Sequence, residues 1–113
     1  MKVTIYHNPR CSTSRKVLAA IEDKGHKPEI IEYLKTAPSR AELKSLIKKM
    51  GKTPAEAVRR KESLFQELKL AGADDDKLLD AMAKHPILIE RPIVVTDKGV
   101  RLCRPPEAVN EVL

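Results

Sequence analysis

The chain has 113 residues, with 22 basic and 16 acidic side chains and a formal net charge of +6, and no apolar run approaches the ~20 residues of a membrane span. That length suits a single domain able to bury roughly two-thirds of its unfolded surface. Two widely separated cysteines match neither a secreted disulfide framework nor a zinc site, and the first residues lack a signal-peptide core, so a reducing cytoplasm is the expected setting.

The signs of charge interleave through KPEIIE, AELK and ADDDK, and aromatics are only 3% of residues. Stacking platforms for nucleic acid are therefore scarce, and a small anionic substrate accounts for the basic surplus equally well. Charge alone does not choose between them.

In chain order, VTIY (3–6) alternates and is β-branched, which predicts a short strand. STSRKVLAAIEDKG predicts a helix opened by hydroxyl residues and stopped by Gly25. PEIIEYL reads as a second strand, its Ile-Ile pair suggesting burial. SRAELKSLIKKMG carries a capping box, Ser39 with Glu42, and apolar residues on one face at 43, 46, 47 and 50. TPAEAVRR repeats the pattern, with Thr53 as cap, Pro54 at the first helical position and Glu56 completing the box. ESLFQELKL and DDDKLLDAMAKH predict further helices, the last stopped by Pro86. PIVVT and VRLC then read as strands around DKG, a three-residue hairpin loop with its glycine in the left-handed position. PPEAVNEVL closes the chain as a helix opened by proline.

A strand–helix–strand opening implies parallel pairing with a right-handed crossover, and a later hairpin makes the sheet mixed. The expected fold is α/β, a thioredoxin-like mixed sheet. A helical insertion of about 39–85 separates the N-terminal β-α-β unit from the C-terminal hairpin and helix, all within one domain, 1–113.

The chemistry concentrates in HNPRCSTSR (7–15). A thiol is nucleophilic as thiolate, and an isolated cysteine, with a pKa of ~8.5, is mostly protonated at neutral pH. Cys11 lies at the predicted start of a helix, whose free N–H groups favour negative charge and can also cradle a tetrahedral oxyanion. Arg10 and Arg15 flank it, Ser12, Thr13 and Ser14 can donate hydrogen bonds, and His7 can add charge or accept a proton. A buried cysteine acting as a small hydrophobe is the plain alternative, but this loop context favours the nucleophile. The spacing excludes two other chemistries. A dithiol motif needs a cysteine at position 14, which is serine, and a phosphatase loop needs an arginine at position 17, which is valine.

The blocks IYHNPRCSTSR, HPILIERP and RPIVVTDKGVRLCRPPE closely resemble the glutaredoxin-linked arsenate reductases, the ArsC family, in the right order over nearly the whole chain. Arg10, Ser12 and the chain length align it with a shorter, chromosomal subgroup. The resemblance implies that Cys11 attacks arsenate and that three arginines bind the oxyanion: Arg91, Arg104 and, from AVRRKES, Arg59, with Arg60 as the alternative. Guanidinium forks suit such an anion because each can grip two oxygens. The resemblance further implies a cysteinyl-arsenate intermediate, glutathione as co-substrate, glutaredoxin as protein partner, no bound cofactor or metal, and Pro92 as a cis-proline beside the site.

Other candidates have plainer readings. Cys103 is expected to be a buried strand thiol, His85 a helix-end residue, His26 a surface side chain, and Arg101 a residue pointing away from the core. Two alternative functions remain open at this point. One is a Spx-like regulator that binds RNA polymerase, although such proteins sense oxidation through a Cys-x-x-Cys that Ser14 abolishes. The other is a glutathione-dependent reductase of a different substrate.

Overall fold

A computed structural model describes residues 1–113, which divide into two compact units, Met1–Thr36 with Arg91–Leu113, and Ala37–Glu90. No helix is long and apolar enough to cross a membrane.

The first unit contains β1 (Thr4–His7), α1 (Ser12–Asp23), β2 (Glu29–Glu32), β3 (Ile93–Thr96), β4 (Gly99–Leu102) and a 3-10 helix, Pro106–Glu111. The sheet order is β2-β1-β3-β4. β1 pairs in parallel with β2, Ile5 opposite Ile30, and antiparallel with β3, Ile5 opposite Val94. β1 and β2 are therefore the parallel pair expected of the strand–helix–strand opening, with α1 as the crossover. Val17 and Ile21 on α1, Ile5, Val94, Val109 and Val112 join one buried cluster. Period-four spacing on the helix thus meets alternate residues of the central strands. Ile5 is fully buried, so Ile5→Ala is expected to cost about 2–5 kcal/mol, read as a lower urea midpoint at unchanged slope.

Three local expectations are corrected here. The Ile-Ile pair of β2 is not buried, since Ile30 is 47% exposed; β2 is an edge strand with a neighbour on one side only. The hairpin pairs Thr96 with Gly99, so its loop is the two residues Asp97 and Lys98, and Gly99 opens β4 at φ +140 rather than in the left-handed well. The C-terminal segment forms a 3-10 helix, not an α-helix.

The second unit contains α2 (Arg40–Lys49), α3 (Pro54–Ala57), α4 (Ser63–Glu67), α5 (Asp75–Lys84) and a 3-10 helix, Pro86–Leu88. Ser39 caps α2 by accepting from the Glu42 N–H at 3.1 Å, and Asp74 caps α5 through the Lys77 N–H at 2.9 Å. Glu56 reaches back to the Thr53 N–H at 3.0 Å. Leu43, Leu46 and Ile47 on α2 and Leu78, Leu79 and Met82 on α5 are buried, and Arg40 bridges the two helices through Asp76 and Asp80.

The expected helix over 53–60 is cut short. After Ala57 the chain turns extended at Val58, φ −78 and ψ 137, because Val58 forms an antiparallel bridge with Ile89. Arg59 and Arg60 therefore do not lie on a helix face.

Candidate active site

β1 delivers His7 to its C-terminal end, and the next residues make a compact turn. The Cys11 N–H donates to the Asn8 carbonyl at 3.0 Å, while the Arg10 N–H donates to Asn8 Oδ1, also at 3.0 Å. Such turns suit Asn, whose side chain satisfies backbone two residues on. Asn8 is buried and organises the loop. It was missed in the sequence, where the Asn-Pro pair was its one signal.

The turn places Cys11 as the N-cap of α1, with extended backbone at φ −92 and ψ 121 and no side-chain capping bond. Its carbonyl accepts the first helical bond, from the Arg15 N–H at 3.0 Å. The sulfur is left facing the free N–H groups of the first turn, where the helix dipole favours negative charge.

Two arginines from the far end of the chain reach the same sulfur. Arg104 Nη1 lies 3.8 Å from Cys11 Sγ and donates to the Arg91 carbonyl at 3.1 Å. The Arg91 side chain is buried and acts on the thiol as hydrogen-bond donor and as charge. The Arg91–Pro92 peptide is cis, as is Arg104–Pro105, and β3 and β4 begin and end between these positions. Partial burial pushes the Cys11 thiol up, but the Ser14 backbone N–H, Arg91 and Arg104 outweigh it and hold the thiol below its ordinary value.

The loop side chains divide their work differently from the sequence expectation. Ser14 is fully buried, and its hydroxyl turns away from the sulfur. It sits 2.6 Å from His7 Nδ1 and accepts from the Asn8 N–H at 3.1 Å. Ser14 thus reaches the thiol through its backbone alone. Burial lowers His7, with Glu32 opposing and Arg15 adding to the shift, so the imidazole is neutral at neutral pH and supplies no cation. Arg15 Nη1 is bonded to the Pro9 carbonyl at 2.8 Å. Ser12 and Arg10 are exposed, and Thr13 is half-buried.

Cys103 is fully buried, and burial above all, with Glu111 adding to it against Arg101, pushes its thiol up to about 12. The two thiols are thus in opposite electrostatic settings. In the second unit, Arg59 is half-buried and pairs with Glu62 at 3.3 Å and Glu90 at 2.9 Å. Arg60 is exposed, lies 5.4 Å over the Phe65 ring and donates to the Ala55 carbonyl at 3.3 Å. His26 is half-buried. No three His, Cys, Asp or Glu side chains converge as a metal site would require.

A family model described as the ArsC family matches residues 6–112, a span that holds the whole turn, Cys11 and all the arginines above. The chain belongs to the ArsC family. An arsenate reductase of Rhizobium meliloti (strain 1021) is 53% identical over 115 aligned positions, covering all of this chain and 82% of that protein. An arsenate reductase of Escherichia coli (strain K12) is 51% identical, covering 98% of this chain and 80% of its own length. Among solved structures, an arsenate reductase from Vibrio cholerae superposes with a TM-score of 0.95 at 50% identity, covering all of this chain and 98% of that one. The mixed four-stranded sheet with its helices is thus the thioredoxin-like α/β fold of ArsC proteins.

Proposed function

We propose that this ArsC-family protein is an oxidoreductase that reduces arsenate to arsenite, with Cys11 as the nucleophile. The observation that carries the reading is the single thiol held below its ordinary pKa between the α1 N-terminus, Arg91 and Arg104. The relatives named arsenate reductase, about half identical over the whole chain, supply the substrate.

In this reading the α1 N–H groups and the guanidinium forks of Arg91 and Arg104 bind the arsenate oxygens and neutralise their charge as the thiolate approaches. Cys11 Sγ bonds to arsenic as one As–OH bond breaks, the hydroxyl leaving as water with a proton from solvent, which gives the cysteinyl-arsenate ester. Reduction then requires two electrons, and the chain has no second thiol suited to supply them, since Cys103 is buried and protonated far above neutral pH. External thiols fill that role: glutathione adds to the adduct, glutaredoxin takes up the oxidising equivalents, and arsenic leaves as arsenite. No bound cofactor or metal takes part in this scheme.

Arg59, rather than Arg60, is the third anion-binding arginine in this account. Its half-buried, doubly tethered guanidinium is held in one orientation, whereas Arg60 is exposed and occupied by Phe65. The chain is read as one domain, with the helices at about 39–85 as an insertion, because the family match runs through both compact units. A free reactive thiol fits a reducing cytoplasm.

The experiment is arsenite production by the purified protein with glutathione and glutaredoxin supplied and phosphate as competitor. Arsenite should form, require both thiol components and be inhibited by phosphate. Absence of arsenite under those conditions would remove the assignment.

A further inference from the structure

The loop that carries Cys11 from β1 to α1 spends every backbone N–H it has on Asn8 or Ser14. Pro9 has no N–H to place. The Arg10 N–H donates to Asn8 Oδ1 and the Cys11 N–H to the Asn8 carbonyl, each at 3.0 Å. The Asn8 N–H donates in turn to Ser14 Oγ at 3.1 Å, within the first turn of α1. Asn8 is 3% exposed and Ser14 fully buried, so both anchors are shielded from water. One asparagine therefore ties strand end, loop and helix start together.

These bonds act on the sulfur only through the backbone. Holding the Arg10 and Cys11 N–H groups on Asn8 keeps Cys11 at the N-cap, with φ −92 and ψ 121. A residue there directs its side chain at the N–H of the second or third helical residue, and the third is Ser14. That N–H acts on the Cys11 thiol together with Arg91 and Arg104, which stand at the two ends of the β3–β4 hairpin. Of the other charged or titratable side chains around the loop, His7 is tied to Ser14 and Arg15 to the Pro9 carbonyl. The Asn8–Ser14 bond thus fixes the residue that supplies the N–H, and the Asn8–Cys11 bond fixes the residue that receives it. A hydrogen bond to an ionised acceptor is strong, but it weakens steeply once misaimed.

We propose that Asn8 is a positioning residue for the reaction: its side-chain oxygen, by holding the Arg10 N–H, sets the loop so that the Cys11 sulfur faces the α1 N-terminus. Asn8 works through Cys11 and Ser14, not on the anion. This inference rests on the reading of Cys11 as the nucleophile.

The test is the pH midpoint of Cys11 alkylation by iodoacetamide, read by mass spectrometry on the Cys103→Ser protein without arsenate. Asn8→Ala is expected to raise that midpoint by about one pH unit, the loss of one well-aimed hydrogen bond to a charge. Asn8→Ser differs from Asn8→Ala by one oxygen, which can accept from the backbone two residues on, though more weakly than Asn does. Its midpoint should fall between those of the parent and Asn8→Ala. Ile21→Ala is the control for loosening alone. Ile21 is fully buried in the core of the same unit, roughly 15 Å from Cys11 along α1. Its cavity should lower the thermal midpoint while the alkylation midpoint stays within about 0.2 units of the parent.

An unmoved midpoint in Asn8→Ala overturns the positioning role, and so does an Asn8→Ser midpoint no lower than that of Asn8→Ala. An equal shift in Ile21→Ala would mean that any loss of packing suffices, which overturns it too. Should Asn8→Ala fail to fold, Asn8→Ser decides against the parent: a raised midpoint upholds the role and an unmoved one overturns it. A parent midpoint at ~8.5, the value of an isolated cysteine, is a different failure. It removes the reading of Cys11 as an activated nucleophile and takes this inference with it.

Discussion

Cys11→Ser is expected to lower arsenite formation by roughly a thousandfold or more, because a serine hydroxyl is not ionised at neutral pH and no other group can form the covalent intermediate. The helix N-terminus and two guanidiniums that hold the Cys11 thiol down cannot bring a hydroxyl into the same range. Cys103→Ser should leave the rate within about twofold. Its sulfur is buried in the apolar cluster of the first unit, so its replacement is felt in stability, as a hydroxyl in a cavity made for a thiol. Arsenite measured with saturating glutathione and glutaredoxin separates the two variants. An equally damaging Cys103 change would mean that the resolving thiol lies within the chain and that the scheme with external thiols is wrong.

The second large effect belongs to Arg104. Its Nη1 lies 3.8 Å from the sulfur and also braces the Arg91 carbonyl. Arg104→Ala therefore removes one cation from the thiolate, one support from Arg91 and, in the proposed scheme, one fork from the anion. A rise of about a hundredfold in KM for arsenate is expected, with the Cys11 alkylation profile moved to higher pH. Arg104→Lys should recover the second effect better than the first, since an ammonium supplies charge but not a two-pronged grip. Unchanged KM together with an unchanged profile would place Arg104 outside the site.

The parts of the molecule that the sequence made legible are those governed by near neighbours. The strand-to-helix passage at 7–12, the caps at Ser39 and Thr53 and the stop at Pro86 each depend on a few adjacent residues. What escaped depends on distant ones. Ile30 is exposed because β2 falls at the sheet edge, a matter of strand order rather than of β-propensity. Residues 58–60 leave the helix because Val58 pairs with Ile89, a tertiary contact that overrides the local helical pattern.

The site divides in the same way. Cys11, its helix N-terminus and the absence of a second nearby cysteine were readable as chemistry from nine residues. The convergence of Arg91 and Arg104 on that sulfur was not, and it entered only through the family resemblance. Nor could the pattern show that Ser14 would spend its hydroxyl on His7 and Asn8, or that burial would keep His7 neutral. A cluster of hydroxyl and basic side chains beside a thiol does not reveal which of them face it.

The pH dependence of Cys11 alkylation tests the central claim most directly, measured on Cys103→Ser so that a single thiol reports. A group whose charged form is favoured stays ionised further into acid, so the midpoint of the reactivity curve should lie below the ordinary thiol range. That profile is the result expected of a thiolate held by the α1 N-terminus, Arg91 and Arg104. A curve with its midpoint at ~8.5, the value of an isolated cysteine, would contradict it.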